Sequence, residues 1–153
     1  ANQVIFMMDS YQLTTTLTQG SFPDFNSLIP DNTTTQCEIP KSEFKNAVRS
    51  LGVLAKDGNG IIKLEIDEQS TSNLLMSAKT DELGENSVTL SVTTTGNSSK
   101  IAFNSKYLSD VLDVINSDNV VLEINGDSNP GLIKPSEDNN YTHIVMPMFV
   151  QNW

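Results

Sequence analysis

The chain has 153 residues, of which 37% are hydrophobic and 18% charged, so its composition is that of a globular domain and excludes a disordered segment. Its formal net charge is −10, and this acidic excess argues against a nucleic acid as partner of the molecule taken as a whole. A single cysteine, Cys37, excludes an internal disulfide framework, and no stretch approaches the ~20 apolar residues of a membrane span.

Strand patterns dominate the chain. Segments in which apolar and polar residues alternate, or in which β-branched residues accumulate, predict strands. In chain order these segments are residues 3–8, 11–18, 36–39, 62–67, 73–80, 88–93, 100–104, 120–124, 132–133 and 142–146. Asp9 and Ser10 separate the first two segments and predict a hairpin turn.

Two segments show helical periodicity instead. The first, residues 41–54, follows Pro40, and proline is tolerated at the start of a helix. The second, residues 105–116, has Asn104 or Ser105 as its N-terminal cap. Its apolar face comprises Tyr107, Leu108, Val111, Leu112 and Ile115. Strands outnumber helices, and the pattern predicts an α+β domain with helices covering one face of antiparallel sheets.

Positive charge is concentrated on the first predicted helix. Four of the nine Lys and Arg residues lie in it or just after it: Lys41, Lys45, Arg49 and Lys56. The first three span only about 80° of the helix circumference. Lys106 begins the second helix and extends the same surface, whereas Asp110 and Asp113 on that helix oppose it. For an arbitrary helix, such a stripe indicates a solvated face.

Three further segments carry more specific patterns. Residues 19–30 read QGSFPDFNSLIP, residues 101–112 read IAFNSKYLSDVL, and residues 141–150 read YTHIVMPMFV. Pro147 ends the last strand because proline has no N–H to donate to a neighbouring strand. The flexible methionines beside it favour an adaptable binding surface, although most apolar strands belong to a core.

Together and in this order, the three segments resemble the bacterial β sliding clamp family, the processivity subunit of the replicative DNA polymerase. That family has a Gly-x-Phe/Tyr-Pro-Asp-Tyr/Phe connector, a Phe-Asn-x-x-Tyr-Leu-x-Asp-Val-Leu segment and a Val-Met-Pro-Met tail. The resemblance covers nearly all of the chain. It implies the DNA-clamp fold, an α+β fold with two helices packed on curved antiparallel sheets. It also implies that residues 1–30 are the terminal hairpin and linker of the middle domain and that residues 31–153 are the third, C-terminal domain.

The resemblance further implies a non-catalytic protein of the DNA polymerase III holoenzyme. Full-length members form homodimeric rings that tether the polymerase to double-stranded DNA, with helices that face the DNA backbone without regard to sequence. DNA polymerase and clamp loader subunits dock short peptides in an apolar groove at the boundary of the middle and third domains. We therefore expect a bacterial cytoplasmic protein at the nucleoid, with no membrane partner, cofactor or metal.

The family motifs assign two sets of residues in this chain. The DNA-facing set is Lys41, Lys45, Arg49, Lys56 and Lys106. The partner-peptide groove is formed by Pro23, Leu28, Asn104, Tyr107, Ile144, Val145, Met146, Pro147 and Met148. Residues of the middle domain that complete the groove are missing, so we expect a half-walled pocket. Family members usually end soon after Met-Pro-Met, whereas residues 149–153 follow here, so the rim of the pocket differs.

Two other classes of function are open to this composition. Threonine-rich stretches and Asn-x-Ser/Thr sequons at Asn32, Asn97 and Asn140 are typical of a secreted or cell-surface β-rich adhesion module without a DNA role, although the basic helix argues against it. A hydrolase needs a nucleophile, a base and an orienting group, and Cys37 and His143 supply at most two of these. We expect Cys37 to be a buried thiol and His143 a structural or surface residue.

Overall fold

The computed structural model describes residues 2–22, 24–30, 32–67, 73–138 and 140–150. Within these ranges the chain forms eleven strands and two α-helices, which confirms the predicted α+β class. The elements are β1 (Gln3–Met8), β2 (Tyr11–Thr16), β3 (Thr35–Pro40), α1 (Lys41–Asp57), β4 (Ile61–Ile66), β5 (Asn73–Thr80), β6 (Gly84–Ser91), β7 (Thr93–Gly96), β8 (Ser99–Asn104), α2 (Ser105–Val114), β9 (Asn119–Ile124), β10 (Gly131–Pro135) and β11 (His143–Val145). A short 3-10 helix, Phe25–Leu28, lies between β2 and β3.

The two helices differ slightly in length from the prediction. α1 continues three residues beyond the predicted end at residue 54, because Ala55 extends the buried face of the helix. α2 ends two residues early, because Ile115 has an extended backbone with φ −64° and ψ 128°. Asn104 is the N-cap of α2, since its side-chain oxygen accepts a hydrogen bond from the Lys106 N–H at 2.9 Å. Among the described residues, no helix has the length and apolar character needed to cross a membrane.

Two antiparallel sheets form the body of the domain. One has the strand order β11-β10-β9-β3-β7 and the other has the order β6-β5-β4-β8. Every second residue of β4 and β9 is buried, as expected for strands with one face against a core. α1 contacts strands of both sheets, while α2 contacts β8 in one sheet and β11 in the other. The largest fully buried side chains include Phe44, Leu51, Leu64, Met76, Phe103, Leu108 and Leu122.

α1 and α2 lie side by side and run in opposite directions. Gly52, near the end of α1, is next to Ser105 at the start of α2, and a Cβ added at Gly52 would lie 3.8 Å from the Ser105 Cβ. Lys45, nearer the start of α1, contacts Asp113 near the end of α2. Small residues at the crossing allow close helix packing, and this packing fixes which side chains of the two helices meet.

One predicted strand is divided between the two sheets. The alternation of Val88, Leu90 and Val92 with threonines and a serine predicts a single strand over residues 88–93, but β6 ends at Ser91 in the four-stranded sheet. β7 begins at Thr93 in the five-stranded sheet. The single-strand prediction is wrong, because an extended chain keeps its period of two while it crosses from one sheet to the other. Val92, at the crossing, is buried in the core.

The first two strands form a separate hairpin. β1 and β2 pair in antiparallel register from Gln3↔Thr16 to Met8↔Tyr11, so the predicted turn at Asp9 and Ser10 is confirmed. The exposed large apolar side chains of this hairpin are Ile5, Phe6, Met7, Met8, Tyr11 and Leu13. In the described part of the chain, the core cluster begins at Cys37 and takes no side chain from the hairpin. An isolated two-stranded hairpin is marginally stable, so these strands add little to the stability of the domain.

Candidate functional site

The basic residues at the start of α1 meet the end of α2. Lys45 Nζ lies 2.5 Å from Asp113 Oδ1, and Arg49 Nη2 lies 3.5 Å from the same oxygen atom. The hydrogen bond from Lys45 is the main reason why the pKa of the Asp113 carboxyl is lowered, with further contributions from the charges of Arg49 and Lys41. Asp113 is therefore ionised at neutral pH and shares its charge between two cations.

Lys41 completes this group. Its Nζ donates a hydrogen bond to the backbone oxygen of Ile115 at 2.6 Å, where the carbonyl end of α2 favours a positive charge. Lys41, Lys45 and Arg49 line a shallow pocket of about 340 Å³. Ser42, Asn46, Ser117 and Asp118 complete the lining. The structure thus brings three of the five residues predicted to face DNA together at one surface.

The other two predicted cations lie on the exposed side of the same helix pair. Lys56 is in the last turn of α1, and about 100° per residue places it between Lys45 and Arg49 in helical projection. Lys106 Nζ lies 2.7 Å from Asp110 Oδ2 one turn further along α2, and this hydrogen bond raises the pKa of Lys106. The surface, defined here as the helix-pair surface, therefore contains five cations, and the carboxylates of Asp110, Asp113 and Asp118 lie among them.

The C-terminal segment also packs against α2. β11 pairs with β10, with Gly131 opposite Val145 and Ile133 opposite His143, and β11 also packs against α2. Beyond Pro147, the Met148 N–H donates a hydrogen bond to the Ala102 backbone oxygen at 2.7 Å. Since Ala102 is in β8, which leads directly into the start of α2, the tail runs beside the segment that contains Asn104 and Tyr107. We call this region the tail surface.

The tail surface offers apolar side chains to solvent. Met146 is 56% exposed and Tyr107 is 53% exposed, whereas Ile144, Pro147 and Met148 are half-buried. Val145 was predicted to be a groove residue, but the structure places it in the core, only 2% exposed. Successive side chains of a strand point to opposite faces, so Val145 supports the strand from beneath while its two neighbours face outward.

The connector, residues 19–30, contains two of the predicted groove residues, Pro23 and Leu28. Leu28 ends the 3-10 helix and is 42% exposed. In residues 24–30, the hydrogen bonds of this turn are internal: Asp24 Oδ1 accepts from the Asn26 N–H, and the Asn26 carbonyl accepts from the Ile29 N–H. Pro23 and residues 151–153, which were also part of the prediction, lie outside the described residues.

Loop residues that the sequence did not indicate also border the tail. Asp127 and Ser128, between β9 and β10, line a pocket of about 210 Å³ together with Pro147 and Met148. Their only sequence signal is a turn, which gives no hint of the contact. A larger cleft of about 720 Å³ is lined by Phe149 together with Gly58, Asn59 and Lys79.

His143 and Cys37 are each hydrogen-bonded to a neighbouring side chain of the domain. His143 Nδ1 lies 3.0 Å from the Tyr141 hydroxyl oxygen, the two rings are stacked, and partial burial lowers the pKa of His143. Cys37 is fully buried, as predicted, and burial raises the pKa of its thiol to about 11. The Thr94 hydroxyl donates a hydrogen bond to the Cys37 sulfur at 3.6 Å. A thiol in this state is protonated and a poor nucleophile.

Comparison with known proteins identifies the family. The family model of the DNA polymerase III beta subunit, C-terminal domain, matches residues 26–149. Beta sliding clamps of Staphylococcus aureus are 32% identical to this chain over 153 residues, which cover 97% of this chain and 39% of theirs. The beta sliding clamp of Staphylococcus epidermidis is 31% identical with the same coverage. The chain thus spans about two fifths of the length of the curated relatives it matches.

Solved structures agree with the family model. The DNA polymerase III beta subunit of Thermotoga maritima has a TM-score of 0.85 at 24% identity, over 97% of this chain and 40% of that chain, and shares its fold. A sliding clamp of Bartonella birtlesii bound to griselimycin has a TM-score of 0.84 at 26% identity, over 97% of this chain and 40% of that chain. None of these matches supports the adhesion-module alternative. Because the family model covers most of its length, the chain belongs to the sliding clamp family of the DNA polymerase III beta subunit, C-terminal domain.

Proposed function

We propose that this chain is the DNA-facing and partner-docking part of a ring-shaped sliding clamp that tethers a replicative DNA polymerase to double-stranded DNA. The observation that carries the proposal is that a member of this family presents two surfaces formed by different side chains. One is the helix-pair surface with its five cations, and the other is the apolar tail surface around Tyr107 and Met146.

The helix-pair surface is suited to the DNA backbone. Lysine and arginine side chains bind phosphate oxygens without reading the base sequence, and such binding weakens as salt concentration rises. The rest of the chain is strongly acidic, with a net charge of −10, so we expect weak attraction that is confined to this surface and detectable only at low salt. Weak and sequence-independent contact is what a ring that slides along DNA requires.

The tail surface is suited to short apolar peptides. Tyr107 and Met146 are large and exposed, Met148 is half-buried, and flexible methionines adapt to different partners. A Leu or Phe side chain buried here gains roughly 1.5–3 kcal/mol. The partners are DNA polymerase and clamp loader subunits, each with a clamp-binding peptide, and Asn104 and Leu28 contribute to the same groove. Pro23 belongs to the groove on sequence grounds.

The chain has no catalytic role in this proposal. The protonated, buried Cys37 thiol supports this view, because the chain offers no other cysteine as a nucleophile. The clamp acts by topology: a homodimeric ring of full-length subunits in the bacterial cytoplasm, at the nucleoid. Residues 1–30 serve as the last hairpin and linker of the middle domain, and residues 31–153 serve as the third domain. The separation of the β1–β2 hairpin from the core supports this division.

Truncation of the tail surface is expected to weaken peptide binding. We expect Tyr107→Ala and Met146→Ala each to raise the Kd of a Gln-Leu-x-Leu-Phe-type peptide by about tenfold, which corresponds to about 1.4 kcal/mol of lost apolar contact. Isothermal titration calorimetry on this chain measures the effect. Leu83→Ala is the matched control, because Leu83 is also exposed but lies in the turn between β5 and β6. Equal affinity of all three variants and the parent chain would contradict the docking assignment while leaving the DNA-facing assignment untouched.

A further inference from the structure

One carboxylate on the helix-pair surface holds two of its cations. Lys45 and Arg49 are one turn apart on α1, and both contact Oδ1 of Asp113 on α2. The side chains of Asp113 and Arg49 are 49% and 60% exposed, so the pair lies at the surface where a ligand can reach it. It is the one place in the described part of the chain where two cations share a single acid across the two helices.

A carboxylate and a phosphate compete for the same donors. Both present anionic oxygens that accept charge-assisted hydrogen bonds from ammonium and guanidinium groups. A DNA phosphate that approaches Lys45 or Arg49 must therefore displace Asp113 or share the donor with it. The negative charge of Asp113 also repels the phosphate at short range. Lys106 also pairs with an acid, Asp110. That pair lies within one helix and is mostly exposed, so it competes little with a phosphate for Lys106.

We propose that Asp113 competes with the DNA backbone for Lys45 and Arg49. By binding these two side chains, Asp113 keeps the affinity of the helix-pair surface for DNA low. The inference rests on the proposed DNA-facing function and adds its regulation. In this view a single residue, Asp113, determines how strongly the clamp binds DNA, although the number of cations on the surface stays the same. If Asp113 instead positioned Lys45 and Arg49 for DNA, loss of its carboxylate would weaken DNA binding.

The substitution Asp113→Asn separates these possibilities. We expect it to tighten binding of a fluorescein-labelled DNA duplex by several-fold to roughly tenfold at about 50 mM salt, and to steepen the salt dependence by about 0.9 for each phosphate contact that is recovered. Fluorescence anisotropy over a salt series measures both quantities. Asp127→Asn makes the same change in net charge in the loop between β9 and β10, where the carboxylate contacts Ser128 rather than a cation. Asp113→Glu keeps the acid and is expected to bind DNA as the parent chain does.

Two results would overturn the inference. One is that Asp113→Asn binds DNA no more tightly than Asp127→Asn, and the other is that it binds more weakly than the parent chain. Lys45→Glu/Arg49→Glu in the same assay tests the proposed function separately. If that variant loses affinity while Asp113→Asn gains none, the helix-pair surface faces DNA but Asp113 does not compete for it. If Lys45→Glu/Arg49→Glu binds like the parent chain, the DNA-facing assignment fails and the inference fails with it. Circular dichroism spectra establish that each variant is folded.

Discussion

Gly96→Ala is expected to destabilise the domain by about 2–5 kcal/mol, as the sum of backbone strain and overpacking. Gly96 ends β7 with φ +101°, a conformation that side chains with a Cβ rarely adopt. A Cβ at this position would overlap the Thr34 carbonyl oxygen and lie 3.1 Å from the Thr35 Cα. Both are backbone atoms, and they are held in place because Gly96 pairs with Thr35 and the Thr34 carbonyl accepts the Asn97 N–H at 3.1 Å.

Urea unfolding followed by circular dichroism gives the free energy of unfolding of this variant. Gly84→Ala is the matched control, since Gly84 also has a positive φ, +85°, but has no atom within 4 Å of an added Cβ. We expect the control to lose only about 1–2 kcal/mol, the cost of the left-handed backbone. If the two variants lost equal free energy of unfolding, the close approach of β3 and β7 at Gly96 would not be what excludes a Cβ there.

Lys45→Glu/Arg49→Glu is expected to abolish most of the DNA affinity of the chain. Because Asp113 competes for both cations, at most two phosphate contacts are lost, so the slope of log K against log salt falls by at most about 1.8 and binding at about 50 mM salt weakens by at most roughly 100-fold. The introduced carboxylates add repulsion from the phosphates and from Asp113. Anisotropy of a labelled duplex over a salt series measures the loss.

Lys79→Glu/Lys100→Glu controls for net charge. It makes the same charge change at two exposed positions of β5 and β8 that are not among the five cations of the helix-pair surface, and Lys100 pairs with Glu65. We expect the control to lose only the affinity due to the general increase in negative charge. If the two variants lost affinity equally, attraction would come from net charge alone and the helix pair would have no special role.

Local patterns in the sequence are sufficient to predict the helices and the hairpin. The Asn104 cap and the buried face of α2 follow from residue chemistry and a period of 3.6, which depend on few neighbours. The division at Val92 does not follow, because β6 and β7 have the same extended backbone, and only tertiary packing decides which sheet each joins. The buried position of Val145 follows from strand alternation. The family motif, however, assigns consecutive residues of the strand to the groove, although only every second one faces outward.

The candidate sites are predictable only in part, for a physical reason. The sequence identifies Asp113 as an acid opposed to the basic stripe, but its contact with Lys45 depends on the alignment of two helices. That alignment is fixed where Gly52 packs against Ser105, a contact between residues far apart in sequence. The hydrogen bond between Met148 and Ala102, which places the tail beside α2, is equally non-local. The motifs predict which residues belong to the tail surface, whereas the exposure of each one emerges only from the fold.

The most direct test of a clamp with two working surfaces is an amide chemical-shift map of the isotopically labelled chain, titrated separately with a clamp-binding peptide and with a DNA duplex at low salt. At 16.8 kDa the chain is suited to this measurement. We expect the peptide to shift amides of Asn104, Tyr107, residues 144–146 and Met148, and the duplex to shift amides of α1 and of Lys106, Asp110 and Asp113. Peptide shifts confined to the β1–β2 hairpin, or peptide and DNA shifts on the same residues, would contradict the assignment of two separate surfaces.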